Sequence, residues 1–264
     1  MTIHPTAIIA DNVIFGKNIS IGAYSIIKEG VIIGDNTIIE SHCTIEHSKI
    51  GQNCYIGSNC IIGFPPQDLH DKGIDTWVEI GNNVSIREFC TIHRGTQKGN
   101  GKTIIEDNCL LMVYCHVAHD CHIKQNVILT NNVTLGGHVI INPFAILSAF
   151  FLVHQNVEIG EMAFCVALNR TAKSIPPFVM VDSCESNARI MKLNTVGLRR
   201  NGLSEEAIKQ IGWAYNTIKS KPNKEAFVLI EEKAKDFPEL RRIIDFYKNT
   251  KVPVLAFSKG EVEE

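Results

Sequence analysis

Residues 31–42 read VIIGDNTIIESH, two blocks of six that begin alike. The same cut recurs as YIGSNC and IIGFPP at 55–66, and as VEIGNN and VSIREF at 78–89. Each hexad is numbered here from its leading aliphatic residue. Leaders then fall at Ile9, Phe15, Ile21, Ile27, Ile33, Ile39, Ile45, Ile50, Ile56 and Ile62. They resume at Ile80, Ile86 and Ile92, and again from Ile105 through Leu111, Val117, Ile123, Leu129, Leu135, Ile141, Leu147, Val153 and Ile159 to Cys165. Position two is often Gly, and position five is small. A period of six fits neither the 3.6 of a helix nor the 2 of a strand, so it signals a solenoid. Short flat strands alternate with tight bends, and the leaders stack into an interior column. Three hexads make one triangular coil. The expected fold class is therefore mainly β, a parallel β-helix of hexapeptide repeats over residues 1–185.

Seven of the nine cysteines, Cys43, Cys54, Cys60, Cys90, Cys109, Cys115 and Cys121, sit at position five. Cysteine serves there as a small buried apolar residue. No C-x-x-C pair occurs, which removes the usual zinc and redox signature. Beyond residue 185 the hexads vanish, and residues 186–264 are expected to form a small α-helical domain. Ile208, Ile211, Tyr215 and Ile218 make one helical stripe, with Ser204 as its N-cap before two glutamates. Further helices are expected at 224–236 and 238–248, with Pro238 in the first turn of the last.

Bulk properties narrow the function. The chain has 264 residues, is 45% hydrophobic and carries a formal charge of -2, so no global field favours nucleic acid or an anionic membrane. The start, MTIHPTAII, has no basic stretch leading into an apolar run, and no run approaches the length of a membrane-spanning helix. A cytoplasmic protein without an integral membrane segment is expected.

Two insertions break the repeat, at 63–79 and 95–104. Ile62 and Ile92 lead hexads on the same face, so both loops leave one corner, the usual mark of a solenoid's binding side. That face also carries the hexads of Val117, Leu135 and Val153. Position three gives Arg94, His119, Gly137 and Gln155 on successive coils. Position two gives His93, Ala118, Gly136 and His154, and position four gives Gly95, Asp120, His138 and Asn156. Adjacent coils stack about 4.8 Å apart. His119 is thus expected beside Gly137, with His138 one step away and His93 close below. His116 and His122, at position six, are weaker candidates.

A histidine can act as general base near neutral pH. A neighbouring glycine lets a backbone N–H approach a reacting carbonyl. Together they suffice for direct acyl transfer from a thioester to a hydroxyl, and no serine nucleophile elbow is present. Zinc is the rival for clustered histidines. The i, i+3 spacings in HVAH and HDCH split the rings on a flat strand face, so no metal is expected.

The motifs HVAHDC (116–121), TIHRGT (91–96), PQDL (66–69), LGGHV (135–139), VHQ (153–155), Pro176-Pro177 and LNTVGLRR (193–200) resemble the cytoplasmic UDP-N-acetylglucosamine O-acyltransferases that begin lipid A synthesis. The resemblance spans nearly the whole chain. It implies a homotrimer of left-handed parallel β-helices with active sites between subunits and no cofactor. It implies transfer of a 3-hydroxyacyl chain from acyl carrier protein to the 3-hydroxyl of UDP-N-acetylglucosamine. His119 matches the general base, Asp120 its supporting carboxylate and Gly137 the oxyanion donor. His116, His138 and Gln155 match residues lining the sugar nucleotide and acyl carbonyl. Gln67, Asp68 and His93 match substrate contacts, some reaching from the neighbouring subunit. Asn194 and Arg200 match residues that hold the nucleotide and its phosphates, a task suited to the guanidinium fork.

Departures from the family pattern cluster beside the implied acyl tail. Ser148-Ala149 replace Gly-Gly before Phe150-Phe151, and Ala167 stands where Gly is common. The added side chains imply a shorter acyl donor. His70, Val196 and SNARI (186–190) also depart, at positions that bear on nucleotide contacts. The basic run Arg170, Lys173, Arg189, Lys192, Arg199 and Arg200 fits docking of an acidic carrier protein. The alternatives are an acyltransferase acting on an amino-sugar nucleotide, a non-catalytic paralogue and a γ-type carbonic anhydrase with bridging zinc. The N-acyltransferase of the same pathway carries a uridine-binding domain ahead of its solenoid, whereas hexads here begin by Ile9.

Overall fold

The computed structural model describes residues 1–72, 75–184 and 187–257. Among them, strands form three sheets of eleven, nine and eight members, and successive strands go to successive sheets. Pairing is parallel and in register: Ile9 faces Ile27, Ile27 faces Ile45, Val117 faces Leu135 and Leu135 faces Val153. This is the triangular prism that the period of six demands. Every leader from Ile21 to Cys165 is at most 4% exposed. Ile9 and Phe15, on the terminal coil, are only partly covered.

The seven position-five cysteines are buried free thiols. Cys43, Cys60, Cys90 and Cys115 line one corner, each Sγ donating to a backbone carbonyl of the next coil at 3.0–3.1 Å. Burial pushes the Cys109 thiol up to about 11 and Cys121 to about 12, so these groups are inert filler.

The corners turn on position four. Its residues adopt left-handed backbone: Asn36, Asn83, Asn108 and Asn126 lie at φ 55–60°. Asn, Asp and His tolerate this region best among residues with a side chain. Asp120 (φ 59°) and His138 (φ 60°) occupy the same position.

The expected boundary at 185/186 lies on residues outside the described ones. Asn187–Leu193 pairs antiparallel with Val179–Cys184 and forms the edge of the first sheet. The six-residue period ends there, but strand structure continues: Ile190 and Leu193 are buried while Met191 and Lys192 between them are exposed. An antiparallel strand closes the solenoid's last edge, which the hexad pattern could not announce.

Helix α1 (Thr195–Arg200) was not foreseen as a helix. Helices α2 (Glu205–Ser220), α3 (Asn223–Lys233) and α4 (Pro238–Asn249) match the expected three. The Ser204 side chain accepts from Ala207 N–H, as the cap predicts. Ile208, Ile211 and Tyr215 are buried, and the Tyr215 hydroxyl donates to the Pro177 carbonyl at 2.6 Å, tying α2 to the solenoid's end.

Candidate active site

The two insertions do leave one corner, between the second and third sheets. Strands Ile61–Phe64 and Thr91–His93 are neighbours in the second sheet, followed by His116–Val117, Thr134–Leu135 and Leu152–Val153. The corner stacks residues 118–121, 136–139 and 154–157.

There the expected adjacency holds. A Cβ placed on Gly137 would lie 2.5 Å from His119 Cε1 and 2.6 Å from Nε2, so the imidazole rests directly on the glycine backbone. The Gly137 N–H has no hydrogen-bond partner among the described residues. His119 Nδ1 sits 2.9 Å from Asp120 Oδ2. An ionised carboxylate only accepts, so Nδ1 carries the proton and Nε2 presents its lone pair beside Gly137. His138 crosses the His119 ring edge-on, with centroids 5.1 Å apart, and its Nε2 is 3.7 Å from the same Asp120 oxygen.

The Asp120 side chain is 2% exposed. Burial alone would raise its pKa, but hydrogen bonds from His119 and Thr96, with the nearby His138, hold the carboxyl below its ordinary range. Burial, acting against the attraction of Asp120, lowers His138.

His93 follows Ile92, which pairs with Val117 of the next coil. Its ring packs on His116, with centroids 5.3 Å apart, and its Nδ1–H donates to the Pro65 carbonyl at 2.6 Å at the root of the first loop. His116 accepts or donates at Nδ1 with the Thr91 hydroxyl at 2.7 Å. Burial and the facing His93 push His116 down to about 4. His122 lies on the third sheet, paired with Glu106 at 2.6 Å, outside the cluster. Arg94, at position three of the ladder, is buried. It bonds Glu46 Oε1 and the Gly63 carbonyl, each at 3.2 Å, and its side chain is 8% exposed. The Phe64 carbonyl accepts from Arg94 N–H, so this residue clamps the first loop to the start of the second.

Gln155 is exposed and borders a groove of about 680 Å³ beside Gly137, walled by Thr134, Leu152 and Arg170. Ser148, Ala149 and Ala167 sit at the far edge of the same sheet, at the corner with the first sheet. Phe150, at a left-handed position, projects outward and is 52% exposed. Phe151 is a position-five residue, fully buried, and cannot narrow the groove.

Gln67 is exposed, and Asp68 lies within electrostatic range of His119. Leu69, next in that loop, is completely exposed. Asn194 and Arg200 are not brought to the histidines. Asn194 caps α1, accepting from Gly197 N–H at 3.1 Å and donating to the Met162 carbonyl at 2.8 Å, at the corner between the third and first sheets. Arg200 is exposed at the end of that helix. The six basic-run side chains are all exposed, and Arg199 is engaged by Glu205. Of SNARI, Ser186 lies outside the described residues.

Three donor atoms, from His119, Asp120 and His138, lie within 4.8 Å of one another, close enough to share an ion. Spacing along the chain missed this trio because His138 arrives from the next coil. Two of the three atoms already bond each other, and Asp120 Oδ2 also accepts from Thr96. Thr96 itself was missed. It stands inside TIHRGT, but the left-handed turn that aims Asp120 toward the second loop was invisible in the hexad count.

Three family models match four segments of the chain. Domain 2 of UDP-N-acetylglucosamine O-acyltransferase matches residues 175–254, and the bacterial transferase hexapeptide matches 12–47 and 102–137. The hexapeptide repeat of succinyl-transferase matches 49–65. A Sulfurihydrogenibium acyl-(acyl-carrier-protein)–UDP-N-acetylglucosamine O-acyltransferase is 47% identical over 94% of this chain and 92% of its own. The solved UDP-N-acetylglucosamine acyltransferase of Francisella novicida superposes with a TM-score of 0.94 at 35% identity, covering 98% of this chain and 95% of its own. That of Moraxella catarrhalis gives 0.92 at 35%, covering 97% and 100%. The shared architecture is the left-handed β-helix, the exception to right-handed crossovers. With this agreement along nearly its full length, the chain belongs to the acyl-(acyl-carrier-protein)–UDP-N-acetylglucosamine O-acyltransferase family.

Proposed function

We propose that this protein moves a 3-hydroxyacyl chain from acyl carrier protein to the 3-hydroxyl of UDP-N-acetylglucosamine, opening lipid A synthesis in the cytoplasm. The observation that carries the reading is His119, its Nδ1–H on buried Asp120 and its Nε2 over the uncommitted Gly137 N–H. Nε2 takes the proton of the sugar hydroxyl as its oxygen bonds to the thioester carbonyl carbon. The resulting oxyanion accepts from Gly137 N–H. Collapse breaks the carbon–sulfur bond, and the imidazolium returns its proton to the departing thiolate. Asp120 stabilises the imidazolium while it exists. The groove along the second sheet takes the acyl chain, and the side chains of Ala167, Ser148 and Ala149, at the corner with the first sheet, favour a short donor.

The active molecule on this reading is a homotrimer. Asn194 and Arg200 stand at a different corner from His119, and Leu69 projects uncovered from the first loop. A neighbouring subunit would bring the phosphate-holding pair to this site and cover that leucine. Arg200 and its basic neighbours present the charge that an acidic carrier protein requires. No helix among the described residues is long and apolar enough to cross a membrane.

The test is a mass-spectrometric transfer assay. UDP-N-acetylglucosamine is mixed with a ladder of 3-hydroxyacyl and plain acyl carrier proteins, using wild type and His119→Ala. Product that disappears with His119→Ala supports the reading. Absence of product from folded wild-type trimer with every donor overturns it.

A further inference from the structure

The Asp120 carboxylate has two imidazole suitors. His119 Nδ1 lies 2.9 Å from Oδ2, and His138 Nε2 lies 3.7 Å from the same atom. Nothing in the His119–Asp120 pair alone decides which ring the carboxylate serves. The second loop supplies the decision. Thr96 N–H donates to Oδ1 at 2.9 Å, and the Thr96 hydroxyl donates to Oδ2 at 2.6 Å. The hydroxyl's direction is fixed, because it also accepts from Gly99 N–H at 3.2 Å and a carboxylate offers no proton. Each carboxylate oxygen is thereby held from the loop side. Asp120 N–H donates to the Thr103 hydroxyl at 2.9 Å, which fixes the backbone beneath. Gly99 permits the approach, since a Cβ there would lie 2.0 Å from Asp120 Oδ1.

We propose that Thr96 is a positioning residue, which locks the Asp120 carboxylate toward His119 and so keeps His119 in the Nδ1–H form with Nε2 free to accept a proton. The role given to His119 here rests on the function proposed above. Thr96 is 3% exposed and bonds both Asp120 carboxylate oxygens, so its effect passes through Asp120. Without the hydroxyl, Oδ1 keeps its backbone donor while Oδ2 becomes free to turn toward His138. His119 then samples the tautomer with Nε2 protonated, which cannot act as base.

Thr96→Val keeps shape and removes only the hydroxyl, and Thr96→Ser restores it. Nitrogen-15 spectra of the imidazoles, at about pH 8 where histidines are neutral, report the tautomer directly. Wild type and Thr96→Ser should show His119 as the Nδ1–H form, and Thr96→Val a mixture. In the transfer assay Thr96→Val should lose kcat on the order of 10- to 100-fold with KM within about twofold, as expected for a base misoriented by a fraction of an ångström. Thr96→Ser should recover most of it. An unchanged His119 tautomer in folded Thr96→Val overturns the proposal, as does a serine variant as impaired as the valine. If wild type itself transfers no acyl chain, the assigned function fails, while the tautomer measurement still decides the role of Thr96.

Discussion

Replacing Gly137 with alanine separates the geometry of the base from the hydrogen bond that glycine donates. The backbone of Gly137 lies outside the left-handed region, so alanine adopts it without strain. Its N–H stays in place for the oxyanion. What changes is one methyl group, whose carbon would fall 2.5 Å from His119 Cε1 and 2.6 Å from Nε2. Carbon contacts begin near about 3.5 Å, so the imidazole must retreat by roughly 1 Å. The retreat breaks or bends its 2.9 Å bond to Asp120. A displacement of that size costs on the order of 100-fold in rate. The cost in stability is small, about 1 kcal/mol, because the ring is the free end of a side chain at the rim and can swing aside. Gly136→Ala is the control. Its Cβ would meet the Gln155 backbone nitrogen at 2.8 Å, which cannot move without opening the coil. That variant should lose stability first. The assay is kcat/KM with the best donor beside thermal unfolding for both variants. Gly137→Ala retaining activity within about threefold of wild type would refute the claim that His119 works where the structure puts it.

Other perturbations follow from the same contacts. Glu46→Ala leaves buried Arg94 without its carboxylate partner and Lys28 without its ion pair, and should cost about 3–5 kcal/mol in urea unfolding; a loss below about 1 kcal/mol would mean the clamp on the loop roots carries no strain-bearing role. His116 is depressed to about 4 from an ordinary 6.5, so the unfolded chain takes up a proton that the folded one refuses. Its contribution is fully present above pH 6.5 and is lost as pH falls toward 4, about 1–2 kcal/mol after allowing for solvent screening; His116→Gln should flatten that part of the stability–pH curve, and an unchanged slope would contradict the assignment. Ala167→Gly removes a methyl group from the corner toward which the proposed acyl path runs and should shift the donor preference toward longer chains by about tenfold; an unchanged ratio of long to short donors would show that the chain runs elsewhere.

The prism was legible because its rule is written in every coil. One inward aliphatic every six residues leaves no other fold, and the same count placed Gly137 under His119 eighteen residues away. Position five explained the cysteines. Position four carried as much information and was read only as a rung of the ladder. Its run of asparagines marks left-handed corners, and that is the fact that swings Asp120 and His138 around the edge toward each other and toward the second loop. The side-chain partners of His93 and Arg94 were not legible for a related reason. They stand where the loops begin, and they bond the Pro65 carbonyl and Glu46, which no hexad count pairs with them. Asn194 is legible as a motif residue but not as an N-cap, since a six-residue helix has no periodic stripe to betray it.

The chemistry of this corner therefore comes from breaks in the repeat laid over positions that obey it. Regular hexads supply a fixed spacing of coils, so a base and a backbone donor meet one coil apart, with the imidazole resting on the glycine. Irregular loops supply what a repeat cannot, a one-off hydrogen-bond set that distinguishes one histidine from the next. Thr96 reaches Asp120 across 24 positions of sequence, and no periodicity predicts that meeting. A solenoid alone would leave His119 and His138, at positions three and four of neighbouring coils, both within reach of the Asp120 carboxylate. The second loop decides between them by fixing that carboxylate. That is the physical reason an insertion here changes which group can accept a proton, while the coils beneath it stay the same.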